Sequence, residues 1–193
     1  MSGRPAAFID RDGTLIEERH YPIDRNDIVP VDGAGEALAR LEEAGWLRIV
    51  LTNQSAVARG MLTEEDLGGL HDHMLRELAG IGGSVDAIYY CPHHPDGIAL
   101  GYSYACACRK PDRGLLDSAL AEHDIDLARS GFIGDSPRDL FPGVSGVGAR
   151  ILVVPDGTSA PADLPEPPDH VAVDFPSAVD WLLSRSGAPA QGT

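Results

Sequence analysis

The segment FIDRDGTL, residues 8–15, ends a short apolar run with two carboxylates, Asp10 and Asp12, followed by Gly and Thr. The preceding run, Ala6–Ile9, has the length and composition of a strand buried in a sheet. A carboxylate at the end of such a strand, with another two residues later, is costly to bury unless a cation lies between them. The alternative is a plain strand-to-loop turn, in which Asp and Gly serve only the backbone geometry. The rest of the chain decides between these two interpretations.

Polar side chains also follow two further apolar runs. Thr52 follows residues 47–51, and Asp135 follows residues 131–133. In a parallel sheet the carboxyl ends of the strands meet on one rim, where ligands bind. We therefore expect Asp10, Thr52 and Asp135 to lie together. The polar segments concerned are Thr52-Asn53-Gln54-Ser55, Arg109-Lys110-Pro111 and Gly134-Asp135-Ser136, with Asp139 shortly beyond.

Apolar runs alternate with amphipathic segments along the chain. This alternation predicts an α/β fold, a Rossmann-like parallel sheet with helices on both faces. Thr63 and Asp66 have the spacing of a capping box at the start of a helix. The predicted strands are 6–9, 47–51, 87–90, 131–133 and 150–154, and the predicted helices are 36–44, 64–78 and 115–122.

The length of 193 residues suits one domain, which we predict over residues 1–183. The Pro-rich stretch 155–168 predicts an extended strap on the surface. Residues 184–193 are predicted to form a disordered tail.

The chain is acidic, with 15 Lys+Arg against 30 Asp+Glu and a formal net charge of -15. Such a surface repels nucleic acid and anionic lipid, so we expect neither as a partner. A small phosphorylated metabolite remains compatible, because a local cluster of cations and a metal can reverse the field in one cleft. The sequence has no signal-peptide pattern at its start and no run near the roughly 18 apolar residues of a membrane helix. We expect a cytoplasmic monomer.

The three cysteines of the chain fall in one segment, 91–108, which also contains two adjacent histidines. An odd, local set of cysteines is a poor disulfide framework and a better metal site. Three thiolates and one imidazole form a closed tetrahedral Zn²⁺ site of the structural kind. The alternative is reduced cysteines buried as small apolar groups. The candidate ligands are Cys91, Cys106 and Cys108 with either His93 or His94, between which the spacing does not decide.

In order and spacing, the four polar segments resemble the four motifs of the haloacid dehalogenase superfamily, over roughly residues 6–154. This resemblance implies that Asp10 is the nucleophile of a phosphatase, forming an aspartyl-phosphate, and that Asp12 is its general acid and base. Thr52 would hydrogen-bond the phosphoryl oxygens and Lys110 would neutralise their charge. Asp139 is expected to support the metal site without binding the ion. The implied Mg²⁺ ligands are Asp10, Asp12 and Asp135, and further phosphate or substrate contacts are expected from Arg11, Asn53, Gln54 and Ser55.

The segments CPHHP and CACRKP resemble one subgroup of that superfamily, which contains heptose bisphosphate phosphatases and histidinol-phosphate phosphatases. The resemblance implies His93 as the zinc ligand, and a zinc loop over 91–109 in place of a large cap domain. Within the subgroup, TNQSAVARG at 52–60 resembles the heptose enzymes, which carry an Arg at the position of Arg59, and this implies removal of the 7-phosphate of D-glycero-D-manno-heptose 1,7-bisphosphate. The alternatives are histidinol phosphate, another sugar phosphate, or phosphoryl transfer to an alcohol. The expected substrate contacts are Arg59, Arg109, His20 and Tyr21, whereas Ala56 and Phe141-Pro142-Gly143 depart from the heptose enzymes.

Overall fold

The computed structural model describes residues 3–155, 164 and 166–186. A single sheet of six parallel strands forms its centre, in the order β3-β2-β1-β4-β5-β6. The central positions of β1, β2 and β4 explain why their sequences are almost wholly apolar, since both faces of these strands are covered. The strands are β1 Ala6–Ile9, β2 Leu47–Asn53, β3 Ala87–Cys91, β4 Gly131–Gly134, β5 Ala149–Val153 and β6 His170–Ala172.

Helices cover both faces of the sheet. On one face α1, α2 and α4 pack over the alternate strand residues that include Ile9, Val50 and Ile133. On the other face α3 packs over Phe8 and Phe132, whose ring centroids are 5.2 Å apart. The helices are α1 Ala34–Glu43, α2 Glu64–Gly80, α3 Gly114–Glu122 and α4 Phe175–Ser186. None of the helices in the described residues is long and apolar enough to cross a membrane.

The predicted fold class is confirmed, and each predicted strand and helix is present with ends shifted by a few residues. The capping box at the start of α2 is also present, with Thr63 and Asp66 each bonded to the other's backbone. No further domain interrupts residues 3–155, as expected for a chain without a large cap. The connection from β1 to α1 contains only one short 3-10 helix, Arg25–Asp27.

The carboxyl-terminal part of the chain differs from the prediction. Strand β6 and helix α4 were not predicted. Because α4 continues to Ser186, residues 184–186 are helical, and the predicted tail is wrong over them. The remainder of that tail, 187–193, lies outside the described residues, as does most of the predicted strap at 155–168.

Candidate active site and metal-binding cluster

A cavity of about 490 Å³ opens at the carboxyl ends of the central strands. The strand register places the ends of β1, β2 and β4 side by side, because Ile9 is level with both Val50 and Ile133. The prediction that Asp10, Thr52 and Asp135 share one rim agrees with this geometry. The cavity is lined by Asp10, Asp12, Glu18, His20, Tyr21, Pro22, Thr52, Asn53, Gln54, Ser55, Ala56, Arg59, His94, Arg109, Lys110, Asp135, Arg138 and Asp139.

Lys110 lies at the floor of this cavity with a side chain only 1% exposed. Its Nζ atom donates to Asp10 Oδ1 at 2.5 Å and to the Leu51 carbonyl at 2.6 Å. The same atom is 2.7 Å from Asp139 Oδ1. A buried ammonium is stable only when paired in this way, and the charges of Asp10 and Asp139 keep the pKa of Lys110 above its ordinary value despite burial. Lys110 is therefore a fixed positive charge beside Asp10.

Asp10, Asp135 and Asp139 each direct a carboxylate oxygen into one group whose atoms lie within 4.8 Å of one another. Burial, and then the charge of Asp139, raise the pKa of Asp10 to about 8. The same causes raise the pKa of Asp135 to about 6. One lysine does not balance three carboxylates at such short range. Oxygen donors with a surplus of negative charge fit a divalent cation such as Mg²⁺.

Gly13 permits this close packing. Its backbone is left-handed, with φ of 75°, and a Cβ atom built on it would be 2.4 Å from Asp135 Oδ2. A side chain at this position is therefore excluded both by the backbone conformation and by the carboxylate. The Gly in FIDRDGTL lets the loop after β1 approach the loop after β4.

The carboxylate of Asp12 lies outside that acidic group. Its Oδ1 accepts from Arg11 Nη2 at 2.8 Å, and its Oδ2 accepts from Gln54 Nε2 at 2.8 Å. The group of oxygens that could hold a cation comprises Asp10, Asp135 and Asp139, and magnesium ligation by Asp12 stays a prediction. The side chain is 20% exposed and lines the cavity, so it can still exchange a proton with a bound molecule.

The predicted phosphate or substrate contact of Arg11 cannot come from its side chain. Arg11 is 0% exposed and lies behind the cavity wall. Its guanidinium donates to Asp12, to Gln54 Oε1 at 2.9 Å and to His71 Nε2 at 3.2 Å. Arg11 thus holds Asp12 from behind, where substrate cannot reach it.

The end of β2 and the two residues after it combine a hydroxyl that lines the cavity with side chains that hold the site together. The amide of Gln54 bridges Asp12 and Thr52, donating to Thr52 Oγ1 at 2.8 Å. Because Thr52 Oγ1 accepts there, its own proton can be donated into the cavity. The Asn53 side chain donates to the Lys110 carbonyl at 3.1 Å and accepts from the Lys110 N–H at 3.0 Å. Asn53 therefore positions Lys110, although it also lines the cavity together with Ser55.

The outer part of the cavity is cationic. Arg59 and Arg109 both line it, and together with burial they lower the pKa of the neighbouring His94. The Arg59 guanidinium lies 5.6 Å from the centre of the Tyr21 ring, at cation–π distance. Arg59 Nε is buried and has no hydrogen-bond partner among the described residues. Neither arginine forms a salt bridge among the described residues, so this end of the cavity offers positive charge that no carboxylate neutralises.

His20, Tyr21, Arg59 and Arg109 line the cavity as predicted, and residues that were not predicted as contacts line it too, among them Glu18, Pro22, His94 and Arg138. His94 lines the cavity while His93 joins the cysteine cluster, and the Nδ1 atom of His94 accepts from the Asp96 N–H at 3.1 Å. Glu18 is near enough to Asp135 for its charge to raise the pKa of that group. The resemblance places the segment Glu18-Arg19-His20-Tyr21 where the family closes over substrate, but only His20 and Tyr21 of it were predicted as contacts.

The predicted zinc ligands meet in one cluster. Cys91, Cys106 and Cys108 have Sγ–Sγ distances of 3.3, 2.9 and 3.1 Å, and none of them forms a disulfide. His93 Nδ1 lies 3.3 Å from Cys108 Sγ and 3.8 Å from Cys91 Sγ. Burial raises the pKa of the Cys91 and Cys108 thiols, and such crowded sulfurs would repel each other as thiolates. A donor set of three sulfurs and one imidazole nitrogen suits Zn²⁺.

Tyrosines fix the loop that carries this cluster. Tyr104 Oη lies 2.7 Å from His93 Nε2 and so orients the ring whose Nδ1 faces the sulfurs. Tyr102 and Tyr90 donate to the two carboxylate oxygens of Glu64 in the first turn of α2, at 2.8 and 3.1 Å. The loop is thus tied to a helix on one side and to the metal-ligand cluster on the other.

Comparison with known proteins assigns this chain to a family. A family model described as HAD-hydrolase-like matches residues 107–178. The D-glycero-beta-D-manno-heptose-1,7-bisphosphate 7-phosphatase of Yersinia pestis is 38% identical over 93% of this chain and 90% of its own. That of Escherichia coli K12 is 36% identical over 93% of this chain and 88% of its own.

Solved structures agree. The D,D-heptose 1,7-bisphosphate phosphatase of B. bronchiseptica, crystallised with magnesium and phosphate, superposes with a TM-score of 0.74 at 33% identity, covering 94% of this chain and 99% of its own. The enzyme of the same name from Burkholderia thailandensis gives a TM-score of 0.63 at 26% identity, with coverage of 94% and 99%. The fold is that of a haloacid dehalogenase-like hydrolase. Within that class, the chain belongs to the family of D-glycero-β-D-manno-heptose-1,7-bisphosphate 7-phosphatases.

Proposed function

We propose that this protein is a Mg²⁺-dependent phosphatase that removes the 7-phosphate of D-glycero-β-D-manno-heptose 1,7-bisphosphate through an aspartyl-phosphate on Asp10. The observation that carries the proposal is the pairing of Asp10 with Lys110 inside an acidic group, at one end of a cavity whose other end is cationic. The names of the relatives support the choice of substrate.

Asp10 and Asp135 would hold the magnesium ion, with Asp139 supporting both Lys110 and the ion from behind. Asp139 Oδ1 is already 2.7 Å from Lys110, and its Oδ2 accepts from the Ser136 N–H at 2.9 Å. Bound Mg²⁺ supplies positive charge that lets an anionic nucleophile approach an anionic phosphate. Without the metal, burial and the charge of Asp139 raise the pKa of Asp10, so the bound ion would favour its ionised form.

In the first step Asp10 attacks the phosphorus atom. Lys110 holds Oδ1, which leaves Oδ2 as the attacking oxygen. The new bond joins Oδ2 to phosphorus, and the bond between phosphorus and the sugar oxygen breaks. Asp12 gives its proton to the departing oxygen, so the sugar leaves as a neutral alcohol. The Thr52 hydroxyl and the Lys110 ammonium stabilise the charge on the phosphoryl oxygens.

In the second step water replaces Asp10. Asp12, now ionised, takes a proton from the water as its oxygen bonds to phosphorus, and the bond to Asp10 breaks. Phosphate is released and both carboxyl groups return to their starting states. The clamp from Arg11 and Gln54 keeps Asp12 at the cavity wall during both steps.

The cationic end of the cavity supports a bisphosphate substrate. Arg59 and Arg109 line it, and Arg59 Nε is buried without a partner among the described residues. A guanidinium pairs well with a phosphate that is held but not cleaved. Histidinol phosphate carries an amine at that end, which the arginines would repel.

We also propose that Cys91, His93, Cys106 and Cys108 hold a structural Zn²⁺. Arg109, one residue after Cys108, donates to the His93 carbonyl at 3.3 Å, so the metal would fix the approach to Lys110 as well. Its role is to keep the loop over the cavity in one conformation, because four protein ligands leave no position for substrate.

Hydrolysis of matched bisphosphate and monophosphate heptoses tests the substrate assignment. Arg59→Ala removes one charged contact to the distal phosphate, so the KM for the bisphosphate should rise about ten- to a hundredfold. The monophosphate should be little affected, and kcat should change little because that contact exists in both ground and transition states. Arg113→Ala is the matched control, since Arg113 is exposed and pairs with Asp117 away from the cavity. Equal efficiency on the two sugars, or a preference for histidinol phosphate, contradicts the heptose assignment.

A further inference from the structure

His71 is a buried polar side chain that the proposed chemistry does not use. It lies on α2, is 7% exposed and does not line the catalytic cavity. The histidine two residues later, His73, is half-buried and lies 3.8 Å from Glu77. Only His71 faces the loop after β1, where its Nε2 atom is 3.2 Å from Arg11 Nη1.

The contact has a defined direction. A guanidinium has donors only, so His71 Nε2 must be the acceptor and its ring proton must lie on Nδ1. A neutral ring is required for this, and burial together with the charge of Arg11 lowers the pKa of His71 to about 3. The ring also lies 5.5 Å from that of Tyr90, which packs against it without supplying another acceptor to Arg11.

Arg11 transmits this contact to the proposed acid. Its Nη1 side is held by His71, and its Nη2 atom donates to both Asp12 Oδ1 and Gln54 Oε1. Because Arg11 is 0% exposed, water cannot replace an acceptor that is lost. Without His71 the guanidinium would turn toward its remaining acceptors and carry the Asp12 carboxylate with it.

We propose that His71 is a positioning residue for proton transfer: it accepts from Arg11 and so fixes the orientation of the Asp12 carboxylate toward the leaving oxygen. This inference rests on the proposed function, since it gives Asp12 the role of acid. A residue that only packs would affect stability, or every reaction equally. A residue that acts through Asp12 affects only those reactions in which the leaving group needs a proton.

The test compares two leaving groups. A sugar phosphate releases an alkoxide that must be protonated, whereas p-nitrophenyl phosphate releases a phenolate that is stable as an anion. His71→Phe keeps the ring volume and removes the acceptor. Rapid-quench kinetics measure the rate at which the sugar phosphate phosphorylates Asp10. In His71→Phe we expect this rate to fall about tenfold, with substrate KM unchanged. The burst of nitrophenolate should keep its rate. His71→Gln, whose amide oxygen can replace Nε2, should restore the sugar phosphate rate, and His73→Phe should change neither rate.

Several outcomes overturn the inference. An equal loss with both substrates indicates packing alone, and no loss with either means that Arg11 does not need the acceptor. Should His71→Phe not fold, nitrogen NMR of the wild-type ring decides the matter, because a proton on Nε2 would contradict the assigned hydrogen bond. Failure of the wild type to form any phosphorylated Asp10 is a different result, which overturns the proposed function itself.

Discussion

Asp10→Asn should make the metal-free protein more stable while abolishing phosphatase turnover. Asp10 is 8% exposed, and burial and the charge of Asp139 raise its pKa from the ordinary 3.8 to about 8. Below pH 4 both the folded and the unfolded chain hold this proton, and the group has no effect on stability. Between pH 4 and 8 the unfolded chain releases the proton and the folded chain keeps it, so the free energy of unfolding falls as pH rises. Above pH 8 the loss is complete.

The size of the effect follows from the same shift. At about three pH units above 3.8, near pH 7, the loss is about 4 kcal/mol at 1.36 kcal/mol per unit. Asparagine carries no charge, so the Asp10→Asn protein avoids this loss in the free energy of unfolding. Asparagine keeps an oxygen that accepts from Lys110, and a weaker contact there offsets part of the gain, by at most about 1.5–3 kcal/mol for a hydrogen bond to a charged group. Lys110 keeps Asp139 and the Leu51 carbonyl, so we expect a net gain of about 1–3 kcal/mol at pH 7.

Urea unfolding of both proteins in EDTA, from pH 5 to pH 9, measures this gain. The two curves should approach each other at pH 5 and separate toward pH 8. Millimolar Mg²⁺ should stabilise the wild type and have a smaller effect on Asp10→Asn, because an ion that binds only the folded state adds its binding free energy. A variant that is no more stable than the wild type at pH 8 in EDTA would refute the electrostatic reasoning. Retained turnover would refute the assignment of the nucleophile.

Other perturbations give further checks. Gly13→Ala should lower Mg²⁺ affinity, measured by calorimetry, because its methyl group would meet the Asp135 carboxylate. The purified protein should hold about one Zn²⁺ per chain by elemental analysis, and EDTA should remove Mg²⁺-dependent activity before it removes zinc. Cys106→Ser should lower the zinc content and the melting temperature together. Leu182→Ala should cost about 2–5 kcal/mol in urea unfolding, since Leu182 is 3% exposed in the core, with kcat unchanged at a temperature where the variant is folded.

The central strands of the sheet could be predicted from the sequence, because each of them is buried on both faces and is almost wholly apolar. Strand β6 is short and lies at the edge, so its three residues give no such signal. Helix α4 did have a signal, since Phe175, Ala178, Val179 and Leu182 follow a helical period and are all buried. The proline at 176 and the neighbouring Pro-rich stretch concealed it, although proline is well tolerated in the first turn of a helix.

Site residues that belong to a local sequence motif could be predicted. Contacts between side chains that are distant in sequence could not. Asp10, Lys110 and the four metal-type ligands follow from motif positions. The inward turn of Arg11 does not, because a charged residue in a loop is ordinarily exposed. Its buried guanidinium contacts His71, which is distant in sequence and lies on α2. Contacts of this kind are created by the fold and leave no local pattern.

The Asn53 side chain forms two hydrogen bonds with the main chain of Lys110, one as donor and one as acceptor, as the backbone of a neighbouring strand would. Lys110 follows a long loop, yet its backbone is anchored to the end of β2 independently of that loop's path. Insertions or exchanges between the cluster residues His93 and Cys106 could therefore reshape the mouth of the cavity without displacing the ammonium at its floor. Evolution, or a protein engineer, could thus alter substrate choice in this segment while the phosphate chemistry stays intact.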